Sequence, residues 1–216
     1  MKGEKLYKPR RKFRKPFILL IFILIITLFV IIFYPNIKER VIQSERIKTL
    51  SSVNIPNWIT EDFIEIHDSA RTGNRLKELN NIVVHYVGNP GTTASQNRDY
   101  FNNDGTDVSS HFIIGLEGEI VQCLPLYEIS AASNHRNIDT ISIEVCHPDE
   151  SGKYNEETYN SLIKLLSWLC WALDLSAEDV MRHYDITGKL CPLYYVENPQ
   201  EWESLIIDLK SAINAG

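Results

Sequence analysis

Three residues of this 216-residue chain, His85, His183 and Cys191, carry side chains that together suit one chemistry. Zinc catalysis uses three protein ligands and an open fourth position, and imidazole nitrogen with cysteine sulfur is a donor set that tetrahedral zinc accepts. His85 lies inside an apolar run, where an imidazole costs burial energy unless something satisfies it. His183 and Cys191 stand eight positions apart in Arg182-His183-Tyr184-Asp185-Ile186-Thr187-Gly188-Lys189-Leu190-Cys191-Pro192, a loop whose Gly188 and Pro192 let it fold back on itself. On spacing alone, a lone strand histidine is more often hydrogen-bonded core than metal ligand, so the trio needs support from its surroundings.

The elements that must position these residues are legible in the hydrophobic pattern. The run Ile82-Val83-Val84-His85-Tyr86-Val87 is β-branched and nearly continuous in apolar character, as a strand buried on both faces requires, and Gly88-Asn89-Pro90-Gly91 ends it with a dense turn signal. Thr93 is a suitable cap for a helix over residues 94–101. Residues 111–114 and 119–123 flank Gly115-Leu116-Glu117-Gly118 and read as a hairpin. Over residues 140–146, Ile141, Ile143 and Val145 alternate with Ser142, Glu144 and Cys146, which puts Glu144 on the face opposite the isoleucines. Tyr159, Leu162, Ile163, Leu166, Cys170 and Leu173 recur at helical spacing behind the cap Asn155 and the dipole-favoured Glu156 and Glu157, so the pattern predicts a helix over residues 156–173. A second amphipathic helix is expected over residues 202–213. Interleaved strands and helices imply an α/β class, a single domain with a mixed central β-sheet flanked by helices.

Charge is divided unevenly along the chain. Residues 1–16 hold eight Lys and Arg against one Glu, a balance of +7, so the rest of a chain with net charge −6 carries −13. An acidic body argues against nucleic acid as its partner, because phosphates call for a basic face. Residues 17–34 contain no charge, and at 1.5 Å per residue they make roughly 27 Å of helix, close to the thickness of a bilayer core. The expected organisation is a basic cytoplasmic segment (1–16), a transmembrane helix (17–34), a juxtamembrane stalk with an irregular approach to the domain (35–80), and a catalytic domain (81–216). A cleaved signal peptide is the alternative for the apolar stretch, although no small-x-small site follows it. The basic cluster orients the N-terminus to the cytoplasm and the domain to the outside. Trp58, beside the turn signal at Pro56, is expected to pack on the domain surface.

Four ordered segments resemble a known family. Ile82-Val83-Val84-His85-Tyr86, Ser110-His111-Phe112-Ile113-Ile114-Gly115, Thr140-Ile141-Ser142-Ile143-Glu144-Val145-Cys146-His147-Pro148, and Arg182-His183-Tyr184-Asp185 through Lys189-Leu190-Cys191-Pro192 are similar to segments of the N-acetylmuramoyl-L-alanine amidases related to a phage lysozyme and to the peptidoglycan recognition proteins. The resemblance implies a mixed sheet flanked by helices, Zn2+ as cofactor held by His85, His183 and Cys191, and hydrolysis of the amide between N-acetylmuramic acid and L-alanine in peptidoglycan. It also implies a role in the reaction for Lys189. One departure stands out: the phage-lysozyme-like enzymes carry a tyrosine where this chain has Ser110, so that tyrosine's contribution does not carry over. Relatives lacking it have a glutamate in the Ile-Glu-Val strand, and Glu144 is accordingly expected to be the general base.

The competing reading is a non-catalytic peptidoglycan-binding module, since some recognition proteins hold muropeptides without cutting them; those members typically lack the zinc cysteine. Peptidoglycan and the membrane are the expected partners, and the protein is expected to be a monomer. His111, His135 and His147 are expected in supporting, substrate-contacting or surface positions, and His67 carries no motif. Asn134-His135-Arg136-Asn137 fits the groove wall and a plain loop equally. With Cys191 as a ligand, the remaining cysteines allow at most one disulfide.

Overall fold

A computed structural model describes residues 15–67 and 69–215. The basic segment expected over residues 1–16 lies outside the described residues apart from its last two. The first element, α1 (Lys15–Leu50), is a 36-residue helix. Its apolar stretch has a mean hydropathy of 3.1, and none of it is buried, so by length and composition it could cross a membrane. The helix was expected over residues 17–34; instead it continues through Pro35 to Leu50. Proline removes one backbone hydrogen bond, a loss of about 3 kcal/mol, and the uninterrupted turns on both sides, free of glycine, retain theirs.

The chain divides into two compact units between Ile42 and Gln43. In the second unit the last turns of α1 are tied to the segment around residue 79, because the Gln43 side chain accepts from the Leu79 amide at 2.9 Å and donates to the Leu79 carbonyl at 3.2 Å. This unit contains β1 (Ile59–Glu61), β2 (Asn81–Tyr86), α2 (Ala94–Phe101), β3 (Phe112–Ile114), β4 (Ile120–Gln122), β5 (Thr140–Val145), α3 (Glu156–Leu173), β6 (Val180–Arg182), α4 (Tyr184–Thr187), α5 (Leu193–Glu197) and α6 (Pro199–Ala215). The strands form one six-stranded sheet in the order β1-β4-β3-β5-β2-β6. The β3–β4 hairpin is antiparallel and the other pairs are parallel. This is the mixed α/β architecture expected from the sequence.

Strand alternation separates the two faces of the sheet. Ile82 and Val84 of β2, Phe112 and Ile114 of β3, and Ile141, Ile143 and Val145 of β5 are buried together with Leu162, Leu165, Leu166 and Leu169 of α3 and Leu205 and Leu209 of α6. The opposite face carries His85, Ser142 and Glu144, and a smaller apolar cluster including Ile113, Cys146 and Phe101 of α2. Helix α3 starts at Asn155, whose side chain accepts from the Thr158 amide, and stops at Asp174 in a left-handed conformation. Thr93 caps α2 in a reciprocal box with Gln96. Trp58 packs edge-on against Trp168 of α3 at 6.1 Å, with Lys164 over its ring at 4.2 Å.

Residues 35–80 hold more structure than their composition suggests. Leu50, Ile59, Ile64, Leu76 and Leu79 are all buried there, and β1 extends the sheet. Strands β1 and β6 span three residues each, too few to establish a period of two, so only pairing with a neighbour defines them. The four cysteines are free and buried.

Leu166 is fully buried at the centre of the α3 contact with the sheet. Leu166→Ala should lower unfolding free energy by about 2–5 kcal/mol, measured by urea denaturation of the full-length protein in detergent; a loss below about 1 kcal/mol would contradict this placement of the core.

Candidate metal centre

The carboxyl ends of three neighbouring strands bring the sequence-predicted residues together. In the β2–β5 register His85 lies opposite Glu144, so both side chains leave the same face. On the other side of β2, Val84 pairs with Arg182 of β6, and the His183 amide donates to the Val84 carbonyl at 3.3 Å, which sets His183 beside His85. Their ring centroids are 4.6 Å apart. The segment after His183 does fold back: α4 ends at Gly188 with φ 76°, and the Tyr184 amide donates to the Cys191 carbonyl at 2.8 Å. Arg182 anchors this return through its pairing with Asp185 at 2.7 Å and its bond to the Tyr195 carbonyl at 2.9 Å.

His85, His183 and Cys191 are each buried to within 4% exposure, and one ligand atom from each lies within 4.8 Å of the other two. His183 Nε2 donates to Asn134 Oδ1 at 2.8 Å, while its Nδ1 is buried with no hydrogen-bond partner. His85 Nε2 lies 3.4 Å from Ser133 Oγ, and its Nδ1 lies 3.8 Å from Cys191 Sγ. Bond lengths of about 2.0 Å to nitrogen and 2.3 Å to sulfur set an N···S edge of roughly 3.5 Å in a tetrahedral zinc site. The arrangement therefore fits such an ion with a small inward adjustment, and the orphaned His183 Nδ1 points to the same atom set. Asn134 and Ser133 do what outer partners of metal-binding histidines do, fixing ring orientation and tautomer. Asn134 holds φ 55°, a left-handed conformation that asparagine tolerates better than most residues.

The electrostatics are those of a buried site without a counter-charge. Burial holds His85 well below the usual imidazole range, aided by His183 and Lys189, and burial with Lys189 lowers His183 as well. Both shifts favour the neutral ring, the form that binds metals. Burial, followed by the charge of Glu144, pushes the Cys191 thiol up to about 12, although the Tyr86 backbone N–H donates to its sulfur and favours the thiolate. Burial also pushes Glu144 up to about 8 against the pull of Lys189. A dication at the three ligand atoms would favour both anions. The Glu144 side chain is 18% exposed, with Oε1 4.0 Å from His85 Nδ1 and Oε2 buried without a partner.

His85, His183, Cys191, Glu144 and the exposed Lys189 line one cavity of about 350 Å³. Ser110 does not take the missing tyrosine's place, because it is fully buried and its hydroxyl donates to the Phe112 carbonyl at 2.8 Å. His111 is a strut: Nδ1 accepts from the Ser142 amide at 3.1 Å and Nε2 donates to the Glu128 carbonyl at 2.9 Å. His147 is buried against Tyr86, with ring centroids 5.0 Å apart; His135 is exposed; and His67 touches the Phe101 carbonyl at 3.3 Å. Ser133 and Tyr154, whose hydroxyl donates to the His85 carbonyl at 3.0 Å, are supporting residues that sequence reading missed. No local pattern could have found them, because both reach the site from distant chain positions.

The sequence profile of the family described as N-acetylmuramoyl-L-alanine amidase matches residues 75–193. The chain belongs to this amidase family. Its relatives include N-acetylmuramoyl-L-alanine amidase CwlL of Bacillus licheniformis, 27% identical over 160 residues, which are 66% of this chain and 44% of that protein. N-acetylmuramoyl-L-alanine amidase BlyA of Bacillus subtilis strain 168 is 27% identical over 177 residues, 72% of this chain and 47% of that protein. The chain spans less than half the length of these curated relatives. Among solved structures, the catalytic domain of XlyA aligns with a TM-score of 0.61 and 26% identity over 70% of this chain and 98% of that one. PlyL gives a TM-score of 0.63 at 21% identity, over 71% of this chain and 98% of that one, a likeness of fold.

Within this amidase domain, burial lowers His111 to about 4, below the ordinary value of about 6.5. The unfolded chain therefore binds a proton between those values that the folded chain refuses, and stability falls as pH drops through that window. Urea midpoints should decline more steeply from pH 6.5 to pH 4 in the wild type than in His111→Gln; parallel declines would show that His111 does not set the slope.

Proposed function

We propose that this chain is a zinc-dependent N-acetylmuramoyl-L-alanine amidase that hydrolyses the amide between N-acetylmuramic acid and L-alanine in peptidoglycan. The observation that carries the reading is the convergence of His85, His183 and Cys191, with ligand atoms within 4.8 Å of one another, beside the unpartnered Glu144 carboxyl oxygen in an open cavity. Three ligands and no fourth protein donor in that group suit a catalytic centre better than a closed structural one. Membership of the amidase family supports the substrate class.

His85, His183 and Cys191 would hold the zinc, which when bound supplies Lewis-acid and water-activating chemistry. Glu144 stands next to His85 with one oxygen free of any protein partner, so it takes the proton from the attacking water and returns it to the leaving amine. Lys189, at the exposed rim, offers its ammonium group to the oxyanion that develops on the scissile carbonyl. Ser133 and Asn134, against His85 Nε2 and His183 Nε2, would keep the other ring nitrogens available to a metal.

The apolar part of α1, residues 17–34, serves as an uncleaved membrane anchor, residues 35–80 connect it to the catalytic domain over residues 81–216, and the protein acts as a monomer. The basic segment before the helix keeps the N-terminus in the cytoplasm and the catalytic domain outside.

Full-length protein in detergent, loaded with zinc, should release new amino termini and muramic acid ends from purified peptidoglycan. Cys191→Ser should lose most bound zinc and the activity with it, whereas Glu144→Gln should retain zinc and lose about 10²-fold or more in turnover. Binding of muropeptide by zinc-loaded wild type with no cleavage would make the protein a recognition module, and unaltered turnover in Glu144→Gln would remove the base from the scheme. Protease added outside intact protoplasts should digest the domain while sparing the N-terminal segment; protection of the domain would reverse the topology.

A further inference from the structure

Part of the cavity wall comes from α2, and one of its side chains is held in a single orientation. Asn97 is 7% exposed and lines the cavity. Its Nδ2 donates to Thr92 Oγ1 at 2.9 Å and to the Thr93 carbonyl at 2.8 Å, and lies 3.6 Å from Cys146 Sγ. Chemistry assigns the direction of this amide. The Thr93 carbonyl can only accept, and the Thr92 hydroxyl has given its hydrogen to the Asn89 carbonyl at 2.8 Å, so it also accepts from Asn97. Turning the amide over would set Oδ1 against two acceptors.

The locked orientation leaves Oδ1 unused. It accepts no hydrogen bond from a described residue, and it is not among the polar atoms shut away without a partner, so it keeps some solvent contact in a side chain that lines the cavity. A metal held by His85, His183 and Cys191, and the Lys189 ammonium, would suit a substrate's carbonyl oxygens. Asn97 offers the complementary group, an uncharged acceptor with a fixed direction. Tyr100 and Val108, both partly exposed, line the same cavity and give apolar surface for a peptide side chain.

Building on the amidase reading above, we propose that Asn97 is a substrate-positioning residue whose Oδ1 accepts a backbone N–H of the stem peptide. A site built to receive an N–H discriminates against a ligand lacking one, because the buried acceptor is then left unpaired. The preorganised amide gives up no rotamer freedom when the peptide docks.

The test reads binding, so it does not depend on turnover. Full-length protein carrying Glu144→Gln is loaded with zinc in detergent and titrated with a synthetic N-acetylmuramoyl tripeptide. Analogues in which each backbone N–H is replaced in turn by an ester oxygen are titrated alongside. One ester analogue should bind about 10-fold more weakly than the parent, and with Asn97→Leu added, that analogue and the parent should bind equally. A side chain with only a structural role would not erase the difference between two ligands. If Asn97→Leu loses its thermal transition, Thr92→Val replaces it: Oδ1 is kept but the amide is freed to turn, and the ester penalty should shrink.

The proposal is overturned if no ester analogue is weakened, or if the penalty persists unchanged in the variant. Binding without ester sensitivity removes the role of Asn97 and leaves the amidase reading intact. Ester-sensitive binding by the Glu144→Gln protein together with no cleavage by zinc-loaded wild type removes the amidase reading and keeps Asn97. Absence of any binding removes both.

Discussion

The parallel pairing of β2 with β5 and β6 is the constraint on which the site depends. Parallel neighbours send their carboxyl ends to the same edge of the sheet, and at that edge β2 contributes His85, β5 contributes Glu144 and β6 leads into His183. A slip of one residue in either pairing would move a histidine or the carboxylate to the opposite face, because side chains alternate. The register is fixed from below: Ile82, Val84, Ile141, Ile143 and Val145 reach the apolar cluster with α3 and α6 only in this alignment. The hydrophobic face therefore specifies the position of the polar one.

That polar face is held by hydrogen bonds as well as by the smaller apolar cluster. Ser142 lies within 2.7 Å of Ser130 Oγ and bonds His111, whose other nitrogen donates to the Glu128 carbonyl. The Glu128 carboxylate takes both arms of Arg71 at 2.7 and 2.9 Å. Such bidentate pairing fixes direction as well as distance. The network runs from the strand bearing Glu144 to the segment before β2, and it makes the face under the cleft rigid. Against this background the unpartnered His183 Nδ1 and Glu144 Oε2 stand out. Buried polar atoms in folded proteins are almost always satisfied, and two orphans meeting at one cavity suit a group that arrives from outside.

Much of this was legible before the fold was known, and the reasons differ by residue. Helix α3 was readable because its burial repeats over five turns and its cap is local, Asn155 bonding Thr158. The alternation of β5 was long enough to put Glu144 on the correct face. By contrast, β1 and β6 are shorter than one readable period, and the buried residues between Leu50 and Leu79 are separated by polar ones without a regular spacing. The helix outran its expected end at residue 34 because Pro35 imposes only a local cost, while a long helix has many other bonds to retain. Ser133 and Asn134 reach His85 and His183 across 48 and 49 positions, a separation no motif spans.

By itself, the sequence determined which side chains are chemically able to bind a metal or move a proton, which segments repeat with the period of a helix or strand, and that a charge-free stretch follows a basic head. These follow from residue type and local spacing, and they need no knowledge of the rest of the chain. Tertiary structure decided that His85, His183 and Cys191 meet, that Glu144 stands beside them with a free oxygen, and that burial shifts all four from their ordinary range. Distance, desolvation and hydrogen-bond satisfaction are properties of groups brought together from far along the chain, and strand register sets them.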